Sequence, residues 1–173
     1  MKISKLITYL RLGITNVLLV GFYRTLIKYN LHSVQRISEK KINGNFFKYQ
    51  NTPHLLVNRH KLYNYKDLVE GFSPFSNNWI SFKSNYPNWH KNYINGKESK
   101  LKNEKWWKIN DFDDNIGDIK CVWELSRFDW VIKLSMLGAS GEKKAINLLN
   151  KRLNHWINNN QPYNGINWKC GQE

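Results

Sequence analysis

A mainly α fold with an irregular, loop-rich middle is what this sequence predicts, and three observations carry that expectation. Residues Asp118 to Ala139 place apolar side chains at helical spacing with almost no breaker before Gly138. After the turn Ser140-Gly141, Ile146, Leu149, Leu153, Trp156 and Ile157 repeat at three and four residues. From Ser38 to Lys105 long helical periodicity disappears among Asn, Gly, Ser and aromatic residues, with Pro53, Pro74 and Pro87 scattered through it. The expected organisation is an amino-terminal helical segment (1–37), a loop-rich lead-in (38–117) and a helical region (118–173).

The first segment is apolar and basic together. Its longest uncharged run lies between Arg11 and Arg24, well short of the ~20 residues a spanning helix needs, so no transmembrane segment is expected. Tyr9 and Arg11 interrupt what would be the apolar region of a signal peptide, and no small-x-small cleavage site follows. The compartment is left as periplasm or cytoplasm. Leu6, Leu10, Ile14, Val17 and Leu18 lie near helical period, which suits a helix that packs on the rest of the chain or lies on a membrane surface.

In the lead-in, Asn45 to Tyr49 and Trp79 to Phe82 could form short strands. Trp79, Trp89, Trp106 and Trp107 read as anchors pinning loops to a core, or as faces that stack on sugars or bases.

In the last region, the short turn makes the two helices an antiparallel αα-hairpin, the unit of bundles, solenoids and toroids. Ser140 can cap its second helix, and Glu142 suits the positive first turn. The first helix is apolar around most of its circumference, as an inner helix would be. Lys120, Glu124 and Arg127 fall within roughly 60° of one another on an ideal helix. That stripe is either a solvated face with ordinary ion pairs or the wall of a polar cleft, where a fixed guanidinium can take a carboxylate or sulfate.

Composition sets the class. The 173 residues are one domain's worth of chain, able to bury roughly 70% of its unfolded surface. With 41% hydrophobic, 14% aromatic and 23% charged residues, wholesale disorder and collagen-like repeats are disfavoured. Lys and Arg number 27 against 13 Asp and Glu, a formal net charge of +14. That excess favours a polyanionic partner; the abundance of Asn, Lys and Ile would equally follow from a biased base composition. Cys121 and Cys170 form no CxxC and read as two buried thiols, and the five histidines include no HExxH pair. No metal and no cofactor are expected.

The run GDIKCVWELSRFDWV (Gly117 to Val131), the hairpin after it and GINWKCGQE (Gly165 to Glu173) resemble the amino-terminal region of heparinase II/III family proteins. The nearest branch is the one found among bacterial surface-polysaccharide genes and related to heparin-sulfate lyases. FSPFSNNWISF and NYPNWHKNYI fit the irregular lead-in of such proteins, so the resemblance covers roughly Pro53 to the last residue. It implies the amino-terminal part of an incomplete (α/α) toroid, without the β-sandwich domain that follows in family members. It also implies that the chain is a truncated fragment, of marginal stability and itself inactive, of a parent acting by β-elimination on uronate-containing acidic polysaccharide.

Such chemistry needs a group to neutralise the uronate, a base for the C5 proton and an acid for the leaving oxygen. The family places these residues farther along the chain, so the resemblance implies no catalytic residue here, and neither Tyr163 nor His155 occupies a motif position. It does imply substrate-binding positions at Glu124, Arg127, Asn167 and Trp168, with Trp123 and Glu173 supporting them. Classical members carry Arg-His where this chain has Arg127-Phe128. The expected partner is acidic polysaccharide; the alternative is a non-enzymatic basic module for nucleic acid or an anionic membrane surface. No nucleic-acid partner is favoured, since no RNA-recognition signature, zinc knuckle or helix-turn-helix is present.

Overall fold

In the computed structural model the chain is mainly helical and divides into two compact units, residues 1–39 and 40–173. The structure describes residues 7–9, 11–37, 42, 44–48, 64–73, 79–82, 86–110 and 114–169. Leu6, Leu10, Pro53, Pro74, Cys170 and Glu173 lie outside the described residues.

The first unit is built on α1 (Ile14–Lys28). Gly13, at φ 84°, precedes it in a conformation that an L side chain rarely adopts. The chain then turns back through a 3-10 segment, Ser33–Arg36, where Nε2 of Gln35 donates to the Ile27 carbonyl at 2.8 Å and His32 packs edge-on against Tyr23. No residue of α1 is buried.

In the second unit α2 (Tyr65–Glu70) is capped by Asn64, whose side chain accepts from Lys66 N. Two two-residue strands follow, β1 (Gly71–Phe72) and β2 (Ile80–Ser81), paired antiparallel with Gly71 opposite Ser81. The strand expected at Trp79 to Phe82 is therefore present in its centre, whereas residues 45–48 form none.

The helix expected over Asp118 to Ala139 is three pieces: α3 (Lys120–Trp123), a 3-10 turn Glu124–Arg127, and α4 (Asp129–Ala139). Phe128 breaks it, in the left-handed region at φ 63°, ψ 23°. That conformation costs a non-glycine residue about 1–2 kcal/mol. Aromatic packing offsets the cost: the Phe128 ring meets Trp130 and Trp156 edge-on, with centroids 5.7 and 4.9 Å apart. The indole of Trp130 donates to the Leu125 carbonyl at 2.8 Å, satisfying an acceptor that the break would otherwise leave open.

Helix α5 (Lys143–Asn159) packs against α4 to form the expected hairpin. Ser140 does not cap it. The Ser140 hydroxyl donates back to the Leu137 carbonyl at the end of α4, and the Glu142 carboxylate accepts from Lys144 N as the cap of α5. Gly138 lies in the last turn of α4, which ends at Ala139 as expected, and a Cβ there would overlap the Ile146 side chain. Its missing side chain lets the two helices approach.

Two apolar clusters hold the second unit. The larger joins Leu134, Leu137, Ala145, Ile146 and Leu149 of the hairpin to Leu68, Trp89, Leu125 and Trp130; the smaller joins Ile109, Ile116, Val122 and Ile166. One apolar side chain of α4, Ile132, stays 62% exposed, so that helix is not enclosed on every side.

Asparagine side chains organise much of what is not helix. Asn150 and the backbone of Phe47 exchange two hydrogen bonds, at 3.0 and 2.9 Å, and Asn154 donates to the Gly44 carbonyl. Buried Asn92 donates to the Ile116 carbonyl at 2.9 Å and accepts from Ile94 N at 3.0 Å. Each amide replaces a backbone partner that irregular chain cannot find in a ladder.

Candidate functional site

The residues singled out in the sequence do not form one site. Trp123 is buried, and its indole donates to the Ile166 carbonyl at 2.7 Å. Asn167 is buried too, donating through Nδ2 to the Trp89 carbonyl at 2.9 Å and to Asn160 Oδ1 at 2.7 Å. Half-buried Trp168 donates to the Asn160 carbonyl and packs beside Trp156 and Tyr163. Trp123 joins the two sequence runs, while Asn167 and Trp168 tie the second run to Trp89 and to the end of α5.

Glu124 and Arg127 do meet, as an ion pair of 2.9 Å with Arg127 the more exposed partner. The 3-10 turn and the break at Phe128 remove the ideal-helix stripe, and Lys120 stands exposed one turn earlier. Glu124 lines a cavity of about 270 Å³ with Asp67, Asp129, Trp79, Trp130 and Lys133. Three carboxylates against one ammonium make that cavity a poor host for an anion. Glu173 lies outside the described residues.

A larger open cleft, of about 660 Å³, lies between residues 80–81 and 86–102 on one side and the carboxy-terminal half of α5 on the other. Its walls include Tyr86, Trp89, His90, Lys91, Tyr93 and Glu98 from the irregular chain, Lys102 at its rim, and His155 and Asn159 from the helix. The local fold follows from short-range hydrogen bonds. Asn88 accepts from His90 N in a tight turn, Asn88 N donates to the Tyr93 hydroxyl at 2.8 Å, and Lys91 pairs with Glu98 in an isolated antiparallel bridge.

The two histidines are held differently. Nδ1 of His155 accepts from the Trp89 indole at 2.8 Å, and the ring stacks on Tyr86 at 4.4 Å and 9°. With Nδ1 an acceptor, the neutral ring carries its proton on Nε2. His90, 3% exposed, directs Nε2 to the Asn159 carbonyl at 2.9 Å. A carbonyl accepts only, so this ring is also Nε2–H, and its buried Nδ1 has no hydrogen-bond partner among the described residues. Gly165 makes room for it: at φ 79°, a Cβ there would stand 3.1 Å from His90 Cε1 and from the Lys102 carbonyl.

Burial pushes both imidazoles below their ordinary range; for His90, Lys102 lowers it further, while the bond to Asn159 and Glu98 oppose the shift. Tyr93 is pushed up, chiefly by burial, with Glu98 adding to the rise and its backbone partner Asn88 opposing it. At neutral pH the cleft therefore presents neutral imidazoles, a phenol and the cations of Lys91 and Lys102 against one carboxylate. Lys91 also stands over the Tyr93 ring, 5.3 Å from its centroid. Aromatic and polar groups converging on a concave surface, with positive charge in excess, suit a polar anionic ligand.

Sequence reasoning passed over His90, His155, Tyr86 and Lys102 as site residues. The signal was the run NYPNWHKNYI, where aromatics alternate with a histidine and a lysine; His155 had no local signal, because only the fold brings it opposite that run. The thiol of Cys121 is free and half-exposed rather than buried; partial burial, then Asp118 and Glu124, raises its pKa. Among the described residues no group of three His, Cys, Asp or Glu could hold a metal ion, and no helix is long and apolar enough to cross a membrane.

No protein-family model, no curated protein and no solved structure matches this chain.

Proposed function

We propose that this chain belongs to a polysaccharide lyase-like protein of surface-polysaccharide metabolism, and that it binds uronate-containing acidic polysaccharide without supplying the proton-transfer groups of β-elimination. The family reading rests on the two sequence runs and the hairpin between them. The observation that carries the binding role is the cleft in which Lys91 and Lys102 stand with Tyr86, Tyr93, His90 and His155. A uronate carboxylate satisfies the ammonium groups, ring hydroxyls match the imidazole and amide groups, and the apolar face of a sugar ring matches the aromatic walls. Binding sites are accordingly reassigned from Glu124, Arg127, Asn167 and Trp168 to this cleft; of the four, Arg127 is the exposed one.

Titration of the full chain with fluorescent uronate oligosaccharides, neutral dextran fragments and single-stranded DNA tests the reading. Acidic oligosaccharide should bind with an affinity that falls as salt rises, dextran should not bind, and Lys102→Glu should weaken binding by roughly tenfold. The chain alone should release no unsaturated uronate. Tighter binding of DNA than of every acidic glycan, or indifference to Lys102→Glu, would replace this reading with that of a nucleic-acid-binding basic module.

A further inference from the structure

Residues 1–38 contain Lys2, Lys5, Arg11, Arg24, Lys28 and Arg36 and no acidic residue at all. Within this unit α1 buries nothing, yet its sequence ITNVLLVGFYRTLIK is largely apolar. Five of the apolar side chains share one face, while Val17, Val20, Tyr23 and Ile27 lie outside it. At 100° per residue, Ile14, Leu18, Phe22, Leu26 and Leu19 fall within an arc of about 140°, interrupted by Thr15 and Thr25, while Arg24 and Lys28 lie centred about 130° away. Ile14 is 68% exposed, Leu18 67%, Leu19 61% and Phe22 64%. The Thr25 hydroxyl, inside the same arc, donates to the Gly21 carbonyl at 2.8 Å and so presents little polarity of its own.

We propose that α1 docks on the surface of an anionic lipid bilayer, lying in the plane of the headgroups with Ile14, Leu18, Leu19 and Phe22 inserted at the acyl boundary. Three features fix this occupant. The wide, largely apolar face matches hydrocarbon without needing a shaped groove. The cations that flank it, unopposed by any carboxylate over the first 38 residues, match acidic headgroups. Tyr9 and Tyr29, both more than half exposed at either side of the helix, are suited to the headgroup level. Fifteen residues make a helix of about 22 Å, shorter than the ~30 Å of hydrocarbon, so α1 lies along the interface and does not cross it. Glycan binding at the cleft and membrane docking at α1 use different residues, and each can fail without the other.

Sedimentation of the full chain with vesicles tests the proposal. Against phosphatidylcholine vesicles containing about a third phosphatidylglycerol the chain should sediment at low salt, and against phosphatidylcholine alone its partitioning should be weaker by roughly tenfold. Leu18→Glu with Phe22→Glu should lower partitioning by a further order of magnitude or so, leave glycan affinity unchanged, and do so where Ile94→Glu with Ile132→Glu, the same charge change on exposed positions of the second unit, has little effect. The proposal is overturned if the chain stays in solution with anionic vesicles. It is overturned equally if the Leu18/Phe22 variant binds as well as the parent, since the attraction would then be general electrostatics. Conversion of a self-associated chain to monomers by that variant, with no vesicle binding by the parent, would assign the face to a second copy and likewise overturn it.

Discussion

The indole N–H of Trp123 reaches the carbonyl oxygen of Ile166 at 2.7 Å, across 43 residues of sequence. One bond thereby ties α3 to the turn Ile166–Trp168, and the next residue, Asn167, continues the connection to Trp89 and Asn160. Two distant runs with the look of a shared motif are, in the fold, two sides of one packed joint.

Trp123→Phe should therefore destabilise the second unit by about 1–3 kcal/mol, because it leaves the Ile166 carbonyl without its donor in a buried setting while changing little of the apolar contact. The midpoint of urea unfolding reads it. Trp168→Phe, at a half-buried site with a longer bond of 3.2 Å, should cost less. Equal effects of the two would mean that the Trp123 bond has no special weight.

Gly138 offers a test in which sign is informative. In an exposed helix interior Gly→Ala gains about 1 kcal/mol from propensity. Here the new methyl would stand 2.6 Å from Cγ1 of Ile146, a residue 3% exposed, so Gly138→Ala should instead lose about 1–3 kcal/mol through overpacking. Adding Ile146→Val should recover part of that loss, a coupling that a double-mutant cycle measures directly. Additive effects would mean that the helices separate easily.

Phe128 should separate strain from packing. Phe128→Ala keeps the left-handed backbone and gives up the edge-on contacts with Trp130 and Trp156, a loss of about 2–3 kcal/mol for a half-buried aromatic. Phe128→Gly gives up the same contacts but relieves the backbone, and should be the more stable of the two by about 1 kcal/mol. If the Ala variant is the more stable, the turn at this position is not what holds Phe128 at positive φ.

These residues also mark what could be read in the chain. The hairpin was legible because Ile146, Leu149, Leu153 and Trp156 repeat at a period that local geometry alone enforces. The break at Phe128 was not: no glycine, proline or asparagine signals it, and it exists because Trp130 and Trp156, one from each helix, offer the ring a better site than a continued helix would. The end of that helix at Ala139 was legible from the turn Ser140-Gly141, but the role of Gly138 as a contact between helices was not, because Ile146 comes to it only in the fold. The cleft was half legible. The aromatic and cationic run from Asn85 to Ile94 announces it, but His155 and Asn159 complete it from a helix whose sequence gives only an apolar period. The asparagines, readable as base composition, prove to be the partners of loop backbone at Phe47, Gly44 and Ile116.

The two cleft histidines make stability depend on pH, with a definite sign. Burial is the largest cause in each case and lowers the pKa from 6.5. As pH falls through 6.5 the unfolded chain takes up protons before the folded one does, so stability is highest above that value. It declines as pH drops toward the folded-state pKa values and levels off with respect to these groups below them. Protonation of His155 at Nδ1 also removes the acceptor of the Trp89 indole, a bond whose donor is 2% exposed and has no water to turn to. The urea midpoint should accordingly fall between about pH 7.5 and pH 5.5, a window above the ordinary carboxylate range. His155→Gln, which cannot titrate, should flatten part of that slope, and NMR titration should show both imidazoles protonating below the ordinary imidazole range. A midpoint that stays level across the window would place both rings in solvent, and the Trp89–His155 bond could not then be what shapes the cleft.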